Sequence, residues 1–316
     1  MERAEIARRG RVLFLYNVPN WAIHHVGQDW AARIAARHDV TLMRFGEHER
    51  ESPSAWDHVV WGYSTLGYSG RMLRRSLSSR PLAWLRWRRA SGAPFAAVVQ
   101  DPSELFPEVS DWKHAPPRTS HLRRFDRLAV TSNEMQEAMH RLGYATVKIN
   151  TRSRLPIRER DEIVREPLRA FTRAQEYPRK NLPLFHALKR NAPPMVERFD
   201  AILGRTVLPA EAYARQIDDH NMYVCTSWQE GGPLPLMDAL RRGCVVLTTR
   251  VGQTDELIQH GVNGFFCDTE QAFGTRIREL AEDRDRLMEM RFRALELSAA
   301  TDAADTVVNQ LTEFLP

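Results

Sequence analysis

The sequence has few cysteines and no long apolar run. Its three cysteines, Cys225, Cys244 and Cys267, have neither the spacing of a zinc site nor that of a disulfide framework, which favours a reducing compartment. No stretch approaches the ~18 apolar residues that a membrane-spanning helix needs, so any membrane contact is expected to be peripheral. The first ten residues are charged and lack the apolar segment of a signal peptide. These absences predict a cytoplasmic protein.

The chain also lacks a strong charge of either sign. Its 316 residues carry 45 Lys and Arg against 40 Asp and Glu, a formal net charge of +5. A charge of this size permits contact with an anionic membrane, a nucleic acid or a phosphorylated substrate without requiring any of them. The hydrophobic share of 43% is typical of a globular protein, and the length favours two domains.

What the chain does have is a series of short apolar segments that alternate with helical patterns. Such segments predict buried parallel strands and an α/β fold, in which ligands bind at the carboxyl ends of the strands. A charged stretch over 150–166 is interpreted as a linker. The predicted strands are 11–16, 40–42, 58–61, 95–99 and 127–130 in a first domain (1–150), and 168–172, 199–203, 222–225, 245–248 and 264–266 in a second domain (151–300).

The most informative segment is 227–243, which reads SWQEGGPLPLMDALRRG. It places Glu230 in a Gly-Gly-Pro turn and Asp238 eight positions later, in the first turns of a predicted helix. The start of such a helix offers free backbone N–H groups and the positive end of its dipole to a phosphate. The carboxylates are better suited to hydroxyl groups, which they accept strongly. This combination fits a sugar attached to a nucleoside diphosphate.

The same segment resembles the Glu-x7-Glu signature of the group-4 family of retaining glycosyltransferases, which have the GT-B architecture. The similarity continues through 244–249, 251–258 and 260–265, and it covers about 208–268 well. It implies two Rossmann-like parallel-sheet domains that face a cleft, with a second domain shortened by one βα unit after 199–205. It also implies transfer of a sugar from a nucleotide donor to an acceptor hydroxyl, with retention, without a metal and without a cofactor other than the nucleotide-diphosphate sugar that serves as substrate.

The resemblance assigns roles to individual residues of the second domain. It implies that Glu230 contacts hydroxyls of the transferred sugar and that Asp238, where the family has a longer Glu, holds the ribose. Arg173 and Lys180 follow a predicted strand in a pattern similar to the family's Arg and Lys that hold the diphosphate. The backbone expected to line the sugar phosphate is that of Gly231, Gly232, Pro233 and Leu234.

The first domain departs from the family pattern at two places. His24 and His25 stand where the family commonly has Gly-Gly; they could contact phosphate, shuttle a proton near neutral pH, or lie on the surface. Gln100 and Asp101 stand where many relatives have His-Asp. A Gln cannot transfer a proton in catalysis, so Asp101 is the candidate on the acceptor side.

A basic, aromatic segment over 71–89 leaves three interpretations open. It could lie on an anionic membrane, engage nucleic acid, or form helices whose Arg side chains extend outward from a packed face. The packed helices are favoured over the membrane contact, and no nucleic acid partner is expected. A final helix over 301–316 is predicted to pack back on the first domain.

Two alternatives to a transferase stay open at this stage. One is a non-catalytic GT-B relative that acts as a nucleotide-binding or partner subunit, which the departures at Gln100 and Asp238 favour. The other is an epimerase or phosphorylase of the same architecture. The acceptor implied by the resemblance could be a glycan, a lipid-linked saccharide or a small metabolite.

Overall fold

The computed structural model describes residues 9–17, 19, 22–64, 83–204, 208–303 and 306–315. Its strands form two parallel sheets. The first has six strands in the order β2-β1-β3-β4-β5-β6, and the second has five in the order β11-β10-β9-β7-β8. The strands are β1 (Gly10–Tyr16), β2 (His38–Arg44), β3 (His58–Trp61), β4 (Phe95–Val99), β5 (Arg127–Val130), β6 (Val147–Lys148), β7 (Leu168–Ala174), β8 (Val196–Leu203), β9 (Met222–Cys225), β10 (Val245–Thr248) and β11 (Gly264–Phe266).

Helices cover both faces of each sheet, as the alternating pattern predicts. They are α1 (Ala22–Ile34), α2 (Ala83–Ser91), α3 (Asn133–Arg141), α4 (Leu182–Arg190), α5 (Ala210–Asp218), α6 (Leu234–Arg241), α7 (Thr254–Leu257), α8 (Glu270–Glu282), α9 (Arg284–Ala303) and α10 (Val307–Phe314). Within the described ranges, no helix has the length and hydropathy needed to cross a bilayer.

The central strand β1 shows why the first sheet needs two helical layers. Its side chains point alternately to opposite faces. Leu13 and Leu15 enter the apolar cluster that contains Trp61, whereas Val12 and Phe14 enter the cluster on the other face. All four are buried, so the continuous apolar run is a consequence of burial on both faces.

The last helix of the chain completes the core of the first domain. Val307, Leu311 and Phe314 of α10 are fully buried in the same cluster as Val12, and the ring of Phe314 meets that of Trp30 edge to face at 6.0 Å. The chain therefore returns to the first domain after it has finished the second.

The basic segment 71–89 is described only from α2 onward, and residues 71–82 lie outside the described ranges. In α2 the Trp87 side chain is buried, and its Nε1 donates to the carbonyl of Glu51 at 3.0 Å. Arg88 lies over the ring of Phe95, at 5.0 Å from its centre. Arg86 and Arg89 are exposed. Among the described side chains of this segment, Trp87 thus packs inward and Arg86 and Arg89 extend to solvent.

The carboxyl ends of the two sheets meet at an interface with several direct contacts. Lys148, in β6, pairs with Glu256 of α7 at 2.7 Å. Glu134, in the first turn of α3, accepts a hydrogen bond from the amide of Gly252 at 2.7 Å. Trp112 Nε1 donates to the carbonyl of Trp228 at 3.2 Å. This interface is the place where ligands bind in parallel α/β folds.

Candidate functional site

A cluster of four charged side chains lies at this interface, and we call it the Glu230 cluster: Asp101, Arg179, Lys180 and Glu230. Each member follows a strand at its carboxyl end. Asp101 comes after β4, Arg179 and Lys180 come after β7, and Glu230 comes after β9. Parallel strands end at the same edge of their sheet, and the two sheets meet along these edges, so Asp101 and Glu230 both come to lie beside Arg179.

Glu230 is the central carboxylate of the cluster. It is buried, and Lys180 Nζ lies 2.5 Å from its Oε1. The Ser227 hydroxyl donates to the same oxygen at 2.7 Å, and the guanidinium of Arg179 lies 3.6 Å from Oε2. Burial alone would raise the pKa of Glu230, but the two cations and the hydrogen bonds outweigh it and hold the pKa below its usual value. Glu230 is therefore ionised at neutral pH.

Arg179 is the member of the cluster that the sequence analysis missed. Its guanidinium bridges the domains, because it lies 3.2 Å from Asp101 of the first domain as well as near Glu230 of the second. Burial disfavours its charge, but Asp101 and Glu230 more than compensate and raise its pKa above the usual value. The feature of the sequence that could have identified Arg179 is its position next to Lys180.

Asp101 is held in place by its own loop. It caps a short 3-10 turn, Pro102–Glu104, and accepts a hydrogen bond from the amide of Ser103 at 2.9 Å. Glu104 points inward and accepts from the amide of Ser64 at 2.6 Å. Burial, followed by the charge of Asp101, raises the pKa of Glu104 to about 8. The buried side chain of Gln100 donates to the carbonyl of Gly62 at 3.0 Å, so this residue supports the loop.

The glycines before α6 let the two domains touch. A Cβ on Gly231 would lie 1.4 Å from the carbonyl oxygen of Gln100, and one on Gly232 would lie 2.4 Å from Thr151 Oγ1. Gly252 has a φ of +55°, and a Cβ there would lie 2.1 Å from the carbonyl oxygen of Gly231. No other residue fits at these contacts. The backbone of Gly231 is therefore pressed against the first domain and that of Gly232 against Thr151, with Pro233 and Leu234 following at the start of α6.

A second group, which we call the Asp238 group, lies farther along α6. Asp238 is buried and accepts from the hydroxyls of Ser153, at 2.5 Å, and Tyr213. Arg173 lies over the ring of Tyr213, 4.5 Å from its centre, and donates to Gln216 at 3.3 Å. Burial raises the pKa of Asp238 to about 6, although the hydrogen bonds and Arg173 oppose this shift.

His24 and His25 lie in the first turns of α1, beside the segment that joins the domains. The ring of His24 lies 4.4 Å from that of Tyr16. His25 Nδ1 lies 3.3 Å from Gln28 Oε1 and 3.5 Å from the guanidinium of Arg154. Burial, the neighbouring His25 and Arg154 lower the pKa of His24. The structure thus places the two histidines next to Arg154, whereas Glu230 is paired with Lys180 and Arg179.

The sequence-predicted residues of the second domain therefore fall into two groups around α6. Lys180 lies with Glu230, as expected for two parts of one site. Arg173 lies with Asp238, so the predicted cation pair is divided between the groups. Among the described residues, no set of three or more His, Cys, Asp or Glu side chains is arranged to hold a metal ion.

Comparison with known proteins identifies the fold. Residues 209–296, which include Glu230 and Asp238, match the family model "Glycosyl transferases group 1". The structure resembles HepE from Anabaena, solved in complex with UDP and glucose, with a TM-score of 0.66 and 14% identity over 97% of this chain and 99% of that one. It also resembles sucrose-phosphate synthase from Thermosynechococcus elongatus, with a TM-score of 0.65 and 12% identity over 96% and 98% of the two chains.

A third similar structure is the pneumococcal O-GlcNAc transferase GtfA in complex with UDP and GlcNAc. Its TM-score is 0.60, with 15% identity over 86% of this chain and 58% of that one. A search of curated proteins by sequence gives no match. The predicted GT-B architecture is confirmed: the chain has the two-sheet fold of these glycosyltransferases, and its second domain carries the group 1 sequence pattern.

Proposed function

We propose that this protein is a glycosyltransferase that moves a sugar from a nucleoside-diphosphate donor to an acceptor hydroxyl, with retention of configuration. The observation that carries the proposal is the buried ion pair of Glu230 and Lys180 at the interface between the two sheets. It lies beside the start of α6, and Glu230 falls within the segment that matches the family model. The similar structures that contain UDP make UDP the first nucleotide to test.

The leaving group of such a reaction is a diphosphate, which needs positive charge. Lys180 and Arg179 supply two cations, and the amino end of α6 adds the partial positive charge of the helix dipole. In this structure these cations pair with Glu230 and Asp101 and, at 3.9 Å from Arg179, with Glu108. Donor binding exchanges these partners: the diphosphate takes the cations, and the carboxylate of Glu230 becomes available to accept hydrogen bonds from sugar hydroxyls. The cations then stabilise the departing diphosphate.

Asp238 is proposed to hold the ribose of the donor. Its carboxylate already accepts from Ser153 and Tyr213, but two carboxylate oxygens offer about four acceptor positions. Its side chain is shorter than that of the Glu in the family, and the hydroxyls of Ser153 and Tyr213 fill part of the resulting space. Arg173, stacked on Tyr213, is proposed to face the nucleotide from the same side.

The domains must separate before a donor can enter. In this structure the backbone of Gly231 touches that of Gln100, where the transferred sugar is proposed to lie. Opening admits the donor, and closure around it excludes water that would otherwise hydrolyse it. The acceptor is proposed to approach from the first domain, near Asp101, His24 and His25.

Exposed Arg86 and Arg89 support a peripheral membrane contact through 71–89.

The experiment that tests this function measures thermal stabilisation by UDP, GDP, ADP, TDP and their sugar conjugates. We expect one nucleotide to stabilise the protein, and Lys180→Ala to weaken that effect. The matched control is Lys189→Ala, an exposed lysine in the last turn of α4, which should respond like the unmodified protein. Donor turnover should fall by about 100-fold in Glu230→Ala.

One observation favours a non-catalytic GT-B relative that acts as a partner subunit as the second candidate. Glu230 and Asp238 both already have partners among neighbouring side chains, as they would in a protein that uses them only for structure. If no nucleotide stabilises a well-folded sample, the transferase proposal is wrong, and the non-catalytic candidate is then tested by partner retention in Glu230→Ala.

A further inference from the structure

A polar cavity of about 410 Å³ lies at the junction of the two domains, apart from the Glu230 cluster. It opens between α1, the segment 151–154 and the carboxyl ends of α6 and α9. None of its lining residues belongs to the Glu230 cluster. The described side chains that line it are Asp29, Arg33, Arg152, Ser153, Arg154, Arg241 and Asp302.

The described lining has more positive than negative charge: four guanidinium groups face two carboxylates, an excess of two positive charges. Asp29 pairs with Arg33 at 2.8 Å within α1. Asp302 pairs with Arg241 at 2.6 Å and more distantly with Arg152 at 3.5 Å. The two carboxylates are thus already shared among three arginines.

Arg154 is held toward the cavity by side chains of the first domain that carry no negative charge. Its guanidinium donates to Gln28 Oε1 and lies 3.5 Å from His25 Nδ1. An amide oxygen fixes the position of a guanidinium without neutralising its charge. Arg154 therefore presents a full positive charge at the mouth of the cavity.

Two of the arginines are removed from bulk water. The side chains of Arg152 and Arg241 are only 7% and 15% exposed. Charges in such partly buried positions interact more strongly and are screened less by salt than exposed ones. Guanidinium groups present paired N–H donors that match the oxygens of a phosphate.

We propose that this cavity binds a small phosphorylated molecule through Arg152, Arg154 and Arg241. The site is connected to the second domain through Ser153, because its hydroxyl donates to Asp238 at 2.5 Å. An anion that attracts Arg152 and Arg154 can shift the backbone at Ser153, which lies between them, and so change its hydrogen bond to Asp238. The phosphate could belong to an acceptor substrate or to a separate regulator, and both present the same chemistry to the arginines.

Binding of inorganic pyrophosphate and glucose 6-phosphate by isothermal titration calorimetry at low salt tests the proposal. Glucose is the uncharged control. We expect both phosphorylated probes to bind, glucose not to bind, and Arg154→Gln and Arg241→Gln each to weaken binding about tenfold or more. Arg293→Gln changes an exposed arginine of α9 that pairs with Glu296 outside the cavity, and it should bind as the unmodified protein does. Should Arg241→Gln fail to fold, the exposed Arg154→Gln carries the test.

The outcomes separate this proposal from the proposed function. Absence of binding to the unmodified protein, or binding in both arginine variants that is as tight as in the unmodified protein, overturns the cavity site. Pyrophosphate binding that is lost in Lys180→Ala but kept in Arg154→Gln also overturns it, since the anion then occupies the donor site. If a nucleotide stabilises Arg154→Gln as much as the unmodified protein, this result supports the donor site whatever happens at the cavity. With donor present, a phosphorylated acceptor is recovered in the product, whereas a regulator only changes the rate.

Discussion

Glu230 and Asp238 are two buried carboxyl groups eight positions apart, and their pKa values are shifted in opposite directions. Burial raises the pKa of both. Glu230 has a lysine at 2.5 Å and an arginine at 3.6 Å, and its pKa ends below the usual value. Asp238 has mainly neutral hydroxyl donors and a smaller contribution from the charge of Arg173, and its pKa rises to about 6. The partners of a buried carboxyl group, rather than its burial, therefore decide its charge.

The largest expected effect comes from neutralising Glu230. Glu230→Gln leaves Lys180, whose side chain is only 16% exposed, without its closest counter-charge, and we expect the free energy of unfolding to fall by about 3 kcal/mol. Equilibrium urea denaturation followed by tryptophan fluorescence measures this loss. The double variant Glu230→Gln/Lys180→Met should recover part of it, because the buried charge is removed as well. A loss below about 1 kcal/mol in the single variant would show that the ion pair is more hydrated than its low exposure in the structure indicates.

A somewhat smaller effect is expected from Gly231→Ala. Its Cβ would lie 1.4 Å from the Gln100 carbonyl oxygen, so the domains must move apart at the Glu230 cluster, at a cost of about 2 kcal/mol. Limited proteolysis and small-angle X-ray scattering should show a more open protein. Gly274→Ala, in α8 where a Cβ meets nothing within 4 Å, is the control and should remain closed. An unchanged scattering profile in Gly231→Ala would contradict the close contact.

The pH dependence of stability should differ in sign between the two carboxyl groups. Because the folded pKa of Asp238 is raised from 3.8 to about 6, the folded state binds more protons between these values, and stability increases as pH falls through this window. The gain from pH 7 to pH 5 is about 1 kcal/mol. Glu230, whose folded pKa is lowered, stabilises the protein above its unfolded pKa, and this contribution is lost as pH falls through the folded value.

Asp238→Asn is the variant that isolates this dependence. His48, whose burial lowers its pKa to about 4, and Glu104 also titrate with shifted values. The informative quantity is therefore the difference in unfolding free energy between the variant and the unmodified protein at pH 5 and pH 7. A difference that does not change with pH would mean that Asp238 titrates normally.

The smallest expected effect is that of Arg173→Gln. This change removes a cation from the ring of Tyr213, which costs about 0.5 kcal/mol, and it raises the pKa of Asp238 further because a favourable charge is lost. Thermal denaturation measures the stability, and the pH dependence measures the shift. If Arg173 also contacts the donor diphosphate, nucleotide binding falls well beyond what this small stability change explains. Unchanged nucleotide binding would assign Arg173 to the Asp238 group alone.

The sequence predicted the architecture well because the strands of a parallel sheet are buried on both faces and therefore read as apolar runs. Every predicted strand is present, although β2 and β8 are longer than predicted at their half-exposed ends. Strand β6 was missed because it has only two residues, both partly exposed.

The site was predicted less completely than the fold. The assignment of Lys180 and Glu230 to one donor site came from motifs that each lie after a strand, but their direct ion pair was not predicted. The bridging role of Arg179 did not, since it depends on Asp101 from the other domain, and local sequence carries no information about which domains meet. The position of Arg173 beside Tyr213 likewise depends on α5, which lies about 40 residues away.

The return of α10 to the first domain affects how the protein is made. Val307, Leu311 and Phe314 form part of the wall behind β1, yet they are synthesised about 300 residues after it. On the ribosome, the first domain keeps part of its apolar surface exposed until α10 has been translated, after the second domain. The second domain can fold as soon as it emerges. The domain that is translated first is therefore the one that finishes folding last.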